Sequence, residues 1–306
     1  KMDLNYFKKT RILDGGMGQE LLAKGLISKG TLWSTSAILD DKFHQLLIDV
    51  HTSFINAGAD VIVTNNFSSR KVRLIQNKVE DKFEYVNKKA CELANKAREI
   101  SKENILVAGS LPPQNGTYVV DEREINIIKK DFKEQAEIIK PYVDFFYLDV
   151  ITSAKEIEAV CEVTEKMNMP VLVGLHLKKN GKIASGETIT EIVEKYKTNN
   201  WIGLIGACVS LEIIENSSKE MSSLNIPFGF KANLWNVEEP LPLHKFNTSK
   251  FDEVGRNPND TMGIRDEITG EIFYNFAKRI KQKGAKILGG CCNTSPEHIK
   301  SISSLK

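Results

Sequence analysis

The sequence predicts a single-domain (β/α)8 barrel of the TIM type. Eight short runs of β-branched or apolar residues alternate with longer amphipathic stretches, which is the pattern of repeated βα units around a parallel sheet. The chain has 306 residues, and barrels of this kind commonly fill about 250 residues or more as one unit. A doubly wound open sheet is the alternative that this alternation also allows.

The predicted strands and helices follow one another in order along the chain. Apolar residues recur at three- and four-residue spacing in the helical stretches, as in Phe43, Leu46, Leu47, Val50 and Phe54. The predicted strands are residues 11–14, 60–65, 105–110, 145–149, 171–176, 202–208, 227–233 and 285–291. The predicted helices are residues 42–57, 80–101, 122–140, 154–167, 190–198, 211–223 and 271–283.

Capping residues support several of these boundaries. Asp41 precedes the helix predicted at 42–57, and Ser295 followed by Pro296 starts a short final helix. Gly58 and Gly284 end two helices ahead of strands. Residues 234–270, rich in Asn, Pro and charge, form an irregular insertion after strand 7. Long insertions of this type are usually functional, and we expect either a lid or a subunit contact. The whole of residues 1–306 is then one domain.

The composition narrows the classes of function. The chain has 42 Lys and Arg against 40 Asp and Glu, a formal charge of +2, so it lacks the basic footprint of a nucleic-acid-binding protein. Its apolar runs are far shorter than the roughly 20 residues that cross a bilayer, and no signal-like segment opens it. We expect a cytoplasmic protein that acts on small molecules and does not bind membranes.

Five cysteines without disulfide-like spacing raise the question of a metal site. Chemistry in such barrels is built at the C-terminal ends of the strands, where Cys208, Cys291 and Cys292 fall. Three thiolates suit a catalytic zinc ion with its fourth position open. Cys91 and Cys161 lie inside predicted helices and are interpreted as filler, which remains an alternative for Cys208.

The adjacent cysteines are harder to explain as core residues. Consecutive strand residues point to opposite faces, so Cys291 and Cys292 cannot fill the same core. Gly289 and Gly290 would let the backbone turn so that both sulfurs face one centre. Other polar residues at predicted strand ends are Asp14, Asn65, Ser110, Asp149, His176 and Asn233.

Four segments resemble the zinc-dependent homocysteine S-methyltransferases, a family that includes the homocysteine module of cobalamin-dependent methionine synthase. They are DGGMG at 14–18, AGAD at 57–60 running into TNNF at 64–67, GSLPP at 109–113, and GGCCNTSPEHI at 289–299. The last is the most specific. The segments occur in family order over residues 11–300, so the resemblance covers nearly the whole chain and implies the barrel fold.

The resemblance also implies roles for individual residues. Cys208, Cys291 and Cys292 would hold zinc, and Asp14 would contact the amino group of homocysteine. The family usually places a glutamate at the end of the fourth strand for the same group, and Asp149 occupies that position here, with one methylene fewer. We also expect Gly15, Gly16, Asn65, Phe67 and Trp33 to lie at the substrate pocket. His176 is interpreted as a wall residue, with a catalytic role as the alternative.

Two further departures from the family pattern affect the expected activity. Ala207 stands where the family commonly has asparagine before the first cysteine ligand. Ser68 follows Phe67 where the betaine enzymes have a tyrosine, which disfavours betaine as the donor.

The resemblance thus implies methyl transfer from a small cationic donor to homocysteine, giving methionine. A sulfonium donor is preferred (S-methylmethionine, dimethylsulfoniopropionate or S-adenosylmethionine). Trp33 and Phe67 could attract its charge by cation–π contact. The alternatives are a betaine enzyme or a non-catalytic zinc- or thiol-binding sensor. The oligomeric state is not predicted.

Overall fold

The computed structural model describes residues 2–306, which form a barrel of eight parallel strands surrounded by helices. Neighbours in the sheet follow the order β1-β8-β7-β6-β5-β4-β3-β2, and every pairing is parallel. The strands are β1 Arg11–Ile12, β2 Val61–Val63, β3 Leu106–Leu111, β4 Phe145–Ile151, β5 Val171–Leu175, β6 Trp201–Val209, β7 Phe228–Ala232 and β8 Ile287–Gly290.

The sheet closes between its first and second strands. Leu13 forms a parallel bridge with Val61, and the Asp14 N–H donates to the Val61 carbonyl at 3.1 Å. The Asp60 N–H donates to the Ile12 carbonyl at 2.7 Å. A doubly wound sheet would leave two open edges, so the barrel prediction is confirmed and the open-sheet alternative is wrong.

Twelve helices accompany the strands in residues 2–306. All seven predicted long helices are present, with ends shifted by up to three residues. The helices are α1 Met17–Ala23, α2 Ser36–Leu39, α3 His44–Asn56, α4 Lys71–Gln76, α5 Phe83–Ser101, α6 Ile125–Ile139, α7 Ala154–Lys166, α8 Ile189–Tyr196, α9 Leu211–Ser222, α10 Asn259–Met262, α11 Gly270–Gln282 and α12 Pro296–Ser303. The short helices α1, α2, α4 and α10 were not predicted, because each is too brief to show a helical period.

Most of the predicted helix ends are confirmed. Ser295 and His298 form a capping box at α12, with Pro296 in its first turn. Gly58 and Gly284 have φ angles of +112° and +110°, the left-handed region in which glycine ends a helix without strain. At the start of α3 the prediction is wrong by one residue: Asp40, not Asp41, accepts the Lys42 N–H, at 3.2 Å, and caps a 3₁₀ turn ahead of the helix.

The core has two layers. A large apolar layer fills the space between strands and helices, and a smaller one lies inside the barrel and includes Phe145, Tyr147 and Ile205. Cys91 and Cys161 lie in the outer layer, where burial raises the pKa of each thiol to about 12. Both therefore behave as small core side chains, as predicted.

The irregular insertion lies against the loop that precedes α2. The Gly30 N–H donates to the Glu253 carbonyl at 2.8 Å, and the Gly255 N–H donates to the Ser28 carbonyl at 2.8 Å. Asn247 donates to the Gly30 carbonyl at 3.1 Å. These contacts hold the insertion over the C-terminal end of the barrel. Within residues 2–306, none of the helices combines the length and apolarity that crossing a bilayer requires.

A buried histidine in α3 makes the stability of the barrel depend on pH. His51 is fully buried, and within the described chain neither ring nitrogen has a hydrogen-bond partner. Burial lowers its pKa to about 4. The folded protein thus keeps His51 neutral, while the unfolded chain takes up a proton below its ordinary pKa of about 6.5. Stability is present above pH 6.5 and is lost as pH falls toward 4.

We expect His51→Leu to remove this dependence. The unfolding free energy of the unsubstituted protein should fall by about 2 kcal/mol more than that of His51→Leu between pH 7 and pH 5. Urea unfolding at both pH values measures the difference. His244→Gln, which alters an exposed histidine, is the control and should follow the unsubstituted protein. The prediction would be contradicted if the unfolding free energies of His51→Leu and of the unsubstituted protein fell by the same amount between pH 7 and pH 5.

Candidate metal and substrate site

One cavity of about 180 Å³ lies at the C-terminal ends of the strands, beneath the insertion. It brings together every residue that the sequence placed at the site. These are Asp14, Gly15, Gly16, Trp33, Asn65, Phe67, Asp149, Cys208, Cys291 and Cys292. The insertion contributes Trp235, Leu243, Phe246, Asn247, Arg256, Pro258 and Met262 to the wall. Of the two expectations for the insertion, this position supports a cover over the cavity.

Three cysteine sulfurs meet at the floor of the cavity. Cys208 Sγ lies 3.7 Å from Cys292 Sγ, and Cys291 Sγ lies 3.9 Å from Cys292 Sγ. All three sulfurs are within 4.8 Å of one another, which makes them a possible metal-binding group. Cys91 and Cys161 are not part of it.

A β-bulge directs Cys208 toward this centre. The register between β6 and β7 shifts between Ala207 and Val209, and Cys208 has a φ of +55°. Such a conformation is uncommon outside glycine and marks a site where surrounding contacts hold the backbone. One of these contacts comes from Asn233, whose side-chain N–H donates to the Cys208 carbonyl at 2.7 Å. Bulges commonly re-aim a side chain next to an active site.

The paired cysteines reach the same centre by a turn after the strand. Strand β8 ends at Gly290, so Cys291 and Cys292 are not consecutive strand residues and the alternation rule does not separate them. The turn is closed by Thr294, whose N–H and hydroxyl both donate to the Cys291 carbonyl, at 3.0 and 2.7 Å. Asn293 supplies the positive φ, of +68°.

The two glycines serve close packing and not the turn itself. A Cβ at Gly290 would lie 2.0 Å from Thr294 Oγ1, and one at Gly289 would lie 2.6 Å from Leu13 Cβ. Neither glycine has a positive φ. The prediction that both sulfurs face one centre is supported, but the reason given for the glycines is wrong.

Hydrogen bonds to Cys208 favour its ionisation. Burial opposes charge at this sulfur, but contacts with Cys291, Cys292 and the Tyr118 hydroxyl together lower the pKa of Cys208 well below its ordinary value. The Tyr118 oxygen lies 3.1 Å from Cys208 Sγ. Hydrogen bonding to Cys208 raises the pKa of the Cys291 and Cys292 thiols in turn. The Tyr118 hydroxyl and the neighbouring thiols thus stabilise a thiolate at Cys208.

Asp14 already has partners for both carboxylate oxygens. Its Oδ2 accepts the Val63 N–H at 2.9 Å, and its Oδ1 accepts a hydrogen bond from the Lys231 ammonium. Burial opposes the charge on Lys231, but the carboxylate of Asp14 outweighs it and raises the pKa of Lys231. Lys231 was not predicted at the site, although a lysine within the apolar run of the seventh strand is a signal that could have identified it.

Asp149 presents a carboxylate to the cavity. Its Oδ2 accepts a hydrogen bond from the Ser110 hydroxyl at 2.8 Å. Burial inside the barrel raises its pKa to about 7. Asp149, like Cys208, lies in a stretch where the strand register shifts. The pairing of β4 with β5 changes register between Leu148 and Ile151, and Val150 has a φ of +64°. Asp149 does not cap α7, since Ser153 is the residue before that helix.

His176 stays outside the cavity lining. Its Nδ1 lies 3.0 Å from the Ala207 carbonyl oxygen, and its ring packs 4.6 Å from that of Tyr118, measured between centroids. His176 is therefore a hydrogen-bonded residue behind the cavity wall, which fits the non-catalytic interpretation but not a place in the wall itself. His176 acts at most through Tyr118, the residue that contacts Cys208.

The remaining predicted residues form the walls. Asn65 donates to the Ser34 carbonyl at 3.0 Å. Trp33 packs so closely against Gly18 that a Cβ there would lie 2.3 Å from its indole nitrogen. The Arg70 guanidinium lies over the ring of Phe67, 5.2 Å from the ring centroid. An internal cation therefore already lies over the ring predicted to receive a cationic donor.

Comparison with known proteins decides the family. The family model for homocysteine S-methyltransferase matches residues 11–305. The chain belongs to the homocysteine S-methyltransferase family. It is therefore a methyltransferase enzyme, and the family's substrates are homocysteine and a methyl donor.

Individual members of the family are similar over most of their length. The chain is 28 % identical over 299 residues to S-methylmethionine–homocysteine S-methyltransferase BHMT2 of Pongo abelii, covering 95 % of this chain and 76 % of that protein. It is 24 % identical to homocysteine S-methyltransferase 1 of Arabidopsis thaliana, covering 95 % and 92 %. The metallated form of the homocysteine methyltransferase MmuM from Escherichia coli has the same fold, with a TM-score of 0.76 at 19 % identity over 97 % of this chain and 96 % of that one.

Proposed function

We propose that this enzyme transfers a methyl group to homocysteine from a small cationic donor, preferably a sulfonium, and that zinc is its cofactor. The observation that carries the proposal is the group of three cysteine sulfurs on the floor of the cavity at the C-terminal ends of the strands. Two of the similar proteins support it by their names, one as an S-methylmethionine-dependent enzyme and one as a metallated structure.

The donor set fits zinc. Cys208, Cys291 and Cys292 would hold the ion, because an all-thiolate set of three is soft and leaves the fourth tetrahedral position for a substrate. When bound, zinc supplies charge that keeps a coordinated sulfur deprotonated at neutral pH. The Tyr118 hydroxyl, 3.1 Å from Cys208 Sγ, would remain as a hydrogen-bond donor to that ligand.

The carboxylates would receive the amino group of homocysteine. Asp149 is the more available of the two, since only one of its oxygens has a partner among the described residues, whereas both oxygens of Asp14 are engaged. The Ser110 hydroxyl orients Asp149 and leaves its second oxygen free for an ammonium. An ammonium beside Asp149 would favour its charged form. Asp14 would act beside it and together with Lys231.

The chemical step is a displacement at the methyl carbon. The homocysteine thiol first loses its proton to solvent, and its sulfur then forms the new S–C bond while the bond from the methyl to the donor's cationic centre breaks. The electron pair of that bond stays with the donor, so a sulfonium leaves as a neutral thioether and methionine forms. The thiolate-rich floor favours a cationic donor electrostatically. The apolar wall from Trp33, Phe67 and Trp235 excludes water from the reacting atoms.

A donor panel tests the proposal. Zinc-loaded protein is incubated with homocysteine and S-methylmethionine, dimethylsulfoniopropionate, S-adenosylmethionine or betaine, and methionine is measured by mass spectrometry. We expect turnover with at least one sulfonium and a lower rate with betaine, because the family resemblance places Ser68 where the betaine enzymes have a tyrosine. If zinc and homocysteine bind but no donor yields methionine, the protein is a zinc- and thiol-binding sensor instead.

A further inference from the structure

Two arginines lie buried in the wall of the cavity. Arg70 is 2 % exposed and Arg73 is 5 % exposed, and both line the cavity that holds the cysteines. Arg70 directly precedes α4, and Arg73 is the third residue of that helix. Arginine is almost never fully buried unless it is paired with an acid, so the partners of these two side chains matter.

Neither guanidinium has a carboxylate partner. Arg70 donates to the Pro113 carbonyl at 2.8 Å and to the Thr117 hydroxyl at 2.9 Å, while its Nε has no partner within residues 2–306. Over the same residues the Arg73 guanidinium makes no hydrogen bond or ion pair, and its Nη1 is completely buried. Burial lowers the pKa of Arg73 to about 10. The pKa of Arg70 is lowered by burial and by the nearby charge of Arg73, which together outweigh the more distant attraction of Glu156 and Asp149.

Lys231, which is also a buried cation in the cavity wall, differs from the two arginines because it has an acidic partner. Lys231 is paired with Asp14, so its charge is compensated inside the protein. Two guanidinium groups in one wall repel each other and are costly to bury without a directly paired carboxylate, and Glu156 and Asp149 offset this cost for Arg70 only in part. An anion between them would remove both costs, and the planar fork of arginine matches a carboxylate in two-bond geometry.

We propose that Arg70 and Arg73 form a subsite that binds the carboxylate of a substrate. The inference rests on the proposed function and extends it, because both a sulfonium amino acid and homocysteine carry a carboxylate. The site also extends along the wall toward the cysteines: Thr117, which holds Arg70, is followed by Tyr118, which contacts Cys208. A substrate whose carboxylate binds the two arginines and which extends along this wall would direct its reactive end at the three cysteines.

Binding of a simple carboxylate tests the subsite without any methyl transfer. Sodium propionate is titrated at constant ionic strength, and the melting temperature is followed for the unsubstituted protein, Arg73→Met, Arg73→Lys and the control Lys71→Met. Lys71 lies on the same helix but pairs with Glu134 away from the cavity. We expect propionate to stabilise the unsubstituted protein and Lys71→Met, to stabilise Arg73→Lys less, and to leave Arg73→Met unchanged.

The stability of the ligand-free variant separates a binding role from a structural one. Arg73→Met removes an unpaired buried charge, so its melting temperature without ligand should equal or exceed that of the unsubstituted protein. The proposal would be overturned if ligand-free Arg73→Met melted at a lower temperature than the unsubstituted protein and propionate still stabilised it as much as it stabilises the unsubstituted protein.

Kinetics identify which substrate uses the subsite. The kcat/KM of Arg73→Met is measured with S-methylmethionine and with trimethylsulfonium, which has no carboxylate, and separately with homocysteine and 3-aminopropanethiol, its analogue without a carboxylate. A loss of about 10- to 100-fold is expected for the substrate whose carboxylate binds, and not for its analogue. Equal rates of Arg73→Met and unsubstituted protein with all four compounds would refute the subsite. If the unsubstituted protein makes no methionine, the proposed function fails, and the propionate titration still decides the subsite.

Discussion

Replacing Cys291 by alanine is expected to abolish both bound metal and turnover. Its sulfur lies 3.9 Å from Cys292 Sγ and within 4.8 Å of Cys208 Sγ. Two thiolates cannot complete a three-ligand site, so zinc affinity should fall by more than about 100-fold, the upper range for loss of an outer-sphere partner alone. Without the metal, a homocysteine thiol with a pKa near 8.5 is mostly protonated at neutral pH and is a poor nucleophile.

Elemental analysis and methionine formation measure the two effects together. The unsubstituted protein should hold one zinc per chain. Cys161→Ala is the matched control: it removes a buried thiol from helix α7, outside the cysteine group, and should retain zinc and turnover. Full zinc occupancy in Cys291→Ala would refute the ligand assignment.

The second large effect is expected at Lys231, whose substitution by methionine should strongly destabilise the fold. Lys231 is 5 % exposed and is the ion-pair partner of Asp14, which is 1 % exposed. Removing one member of a buried pair leaves the other charge uncompensated and typically costs about 3–5 kcal/mol. Urea unfolding of the metal-free protein at pH 7 measures the loss.

The double variant Asp14→Asn with Lys231→Met separates structure from substrate binding. It should recover at least half of the lost stability, because asparagine still accepts the Val63 N–H while both charges are gone. If Asp14 also contacts the amino group of homocysteine, the KM for homocysteine should be higher in this stable double variant than in the unsubstituted protein. A normal KM there would show that Asp14 serves the ion pair alone, and no recovery of stability would show that the two residues are not coupled.

The barrel and the cysteine group could be predicted because their signals are local. Each strand is an apolar run bounded by helices, and the cysteines fall at strand ends that a barrel brings to one rim. The sequence motif around Cys291 and Cys292 also indicated the family to which the chain belongs. The backbone conformations that aim the side chains were not visible: Cys208 and Val150 adopt positive φ angles in bulges, and neither residue type favours such a conformation.

The polar partners across the cavity could not be predicted from local pattern. Tyr118 and Cys208 are 90 residues apart in sequence, and Lys231 and Asp14 are 217 apart. The buried state of Arg73 depends on the packing of α4 against the cavity wall, whereas in sequence it is one more charge in a polar stretch. The cysteines and carboxylates that line the cavity could thus be located from the sequence, whereas their hydrogen-bond and ion-pair partners could not.

X-ray absorption at the zinc edge reports directly on the atoms that bind the metal. Zinc-loaded protein is measured alone and after addition of homocysteine, with Cys291→Ala as the comparison. We expect three sulfur neighbours, from Cys208, Cys291 and Cys292, and a fourth sulfur when homocysteine is present. A spectrum with fewer than three sulfur neighbours, or one that homocysteine leaves unchanged, would contradict this expectation.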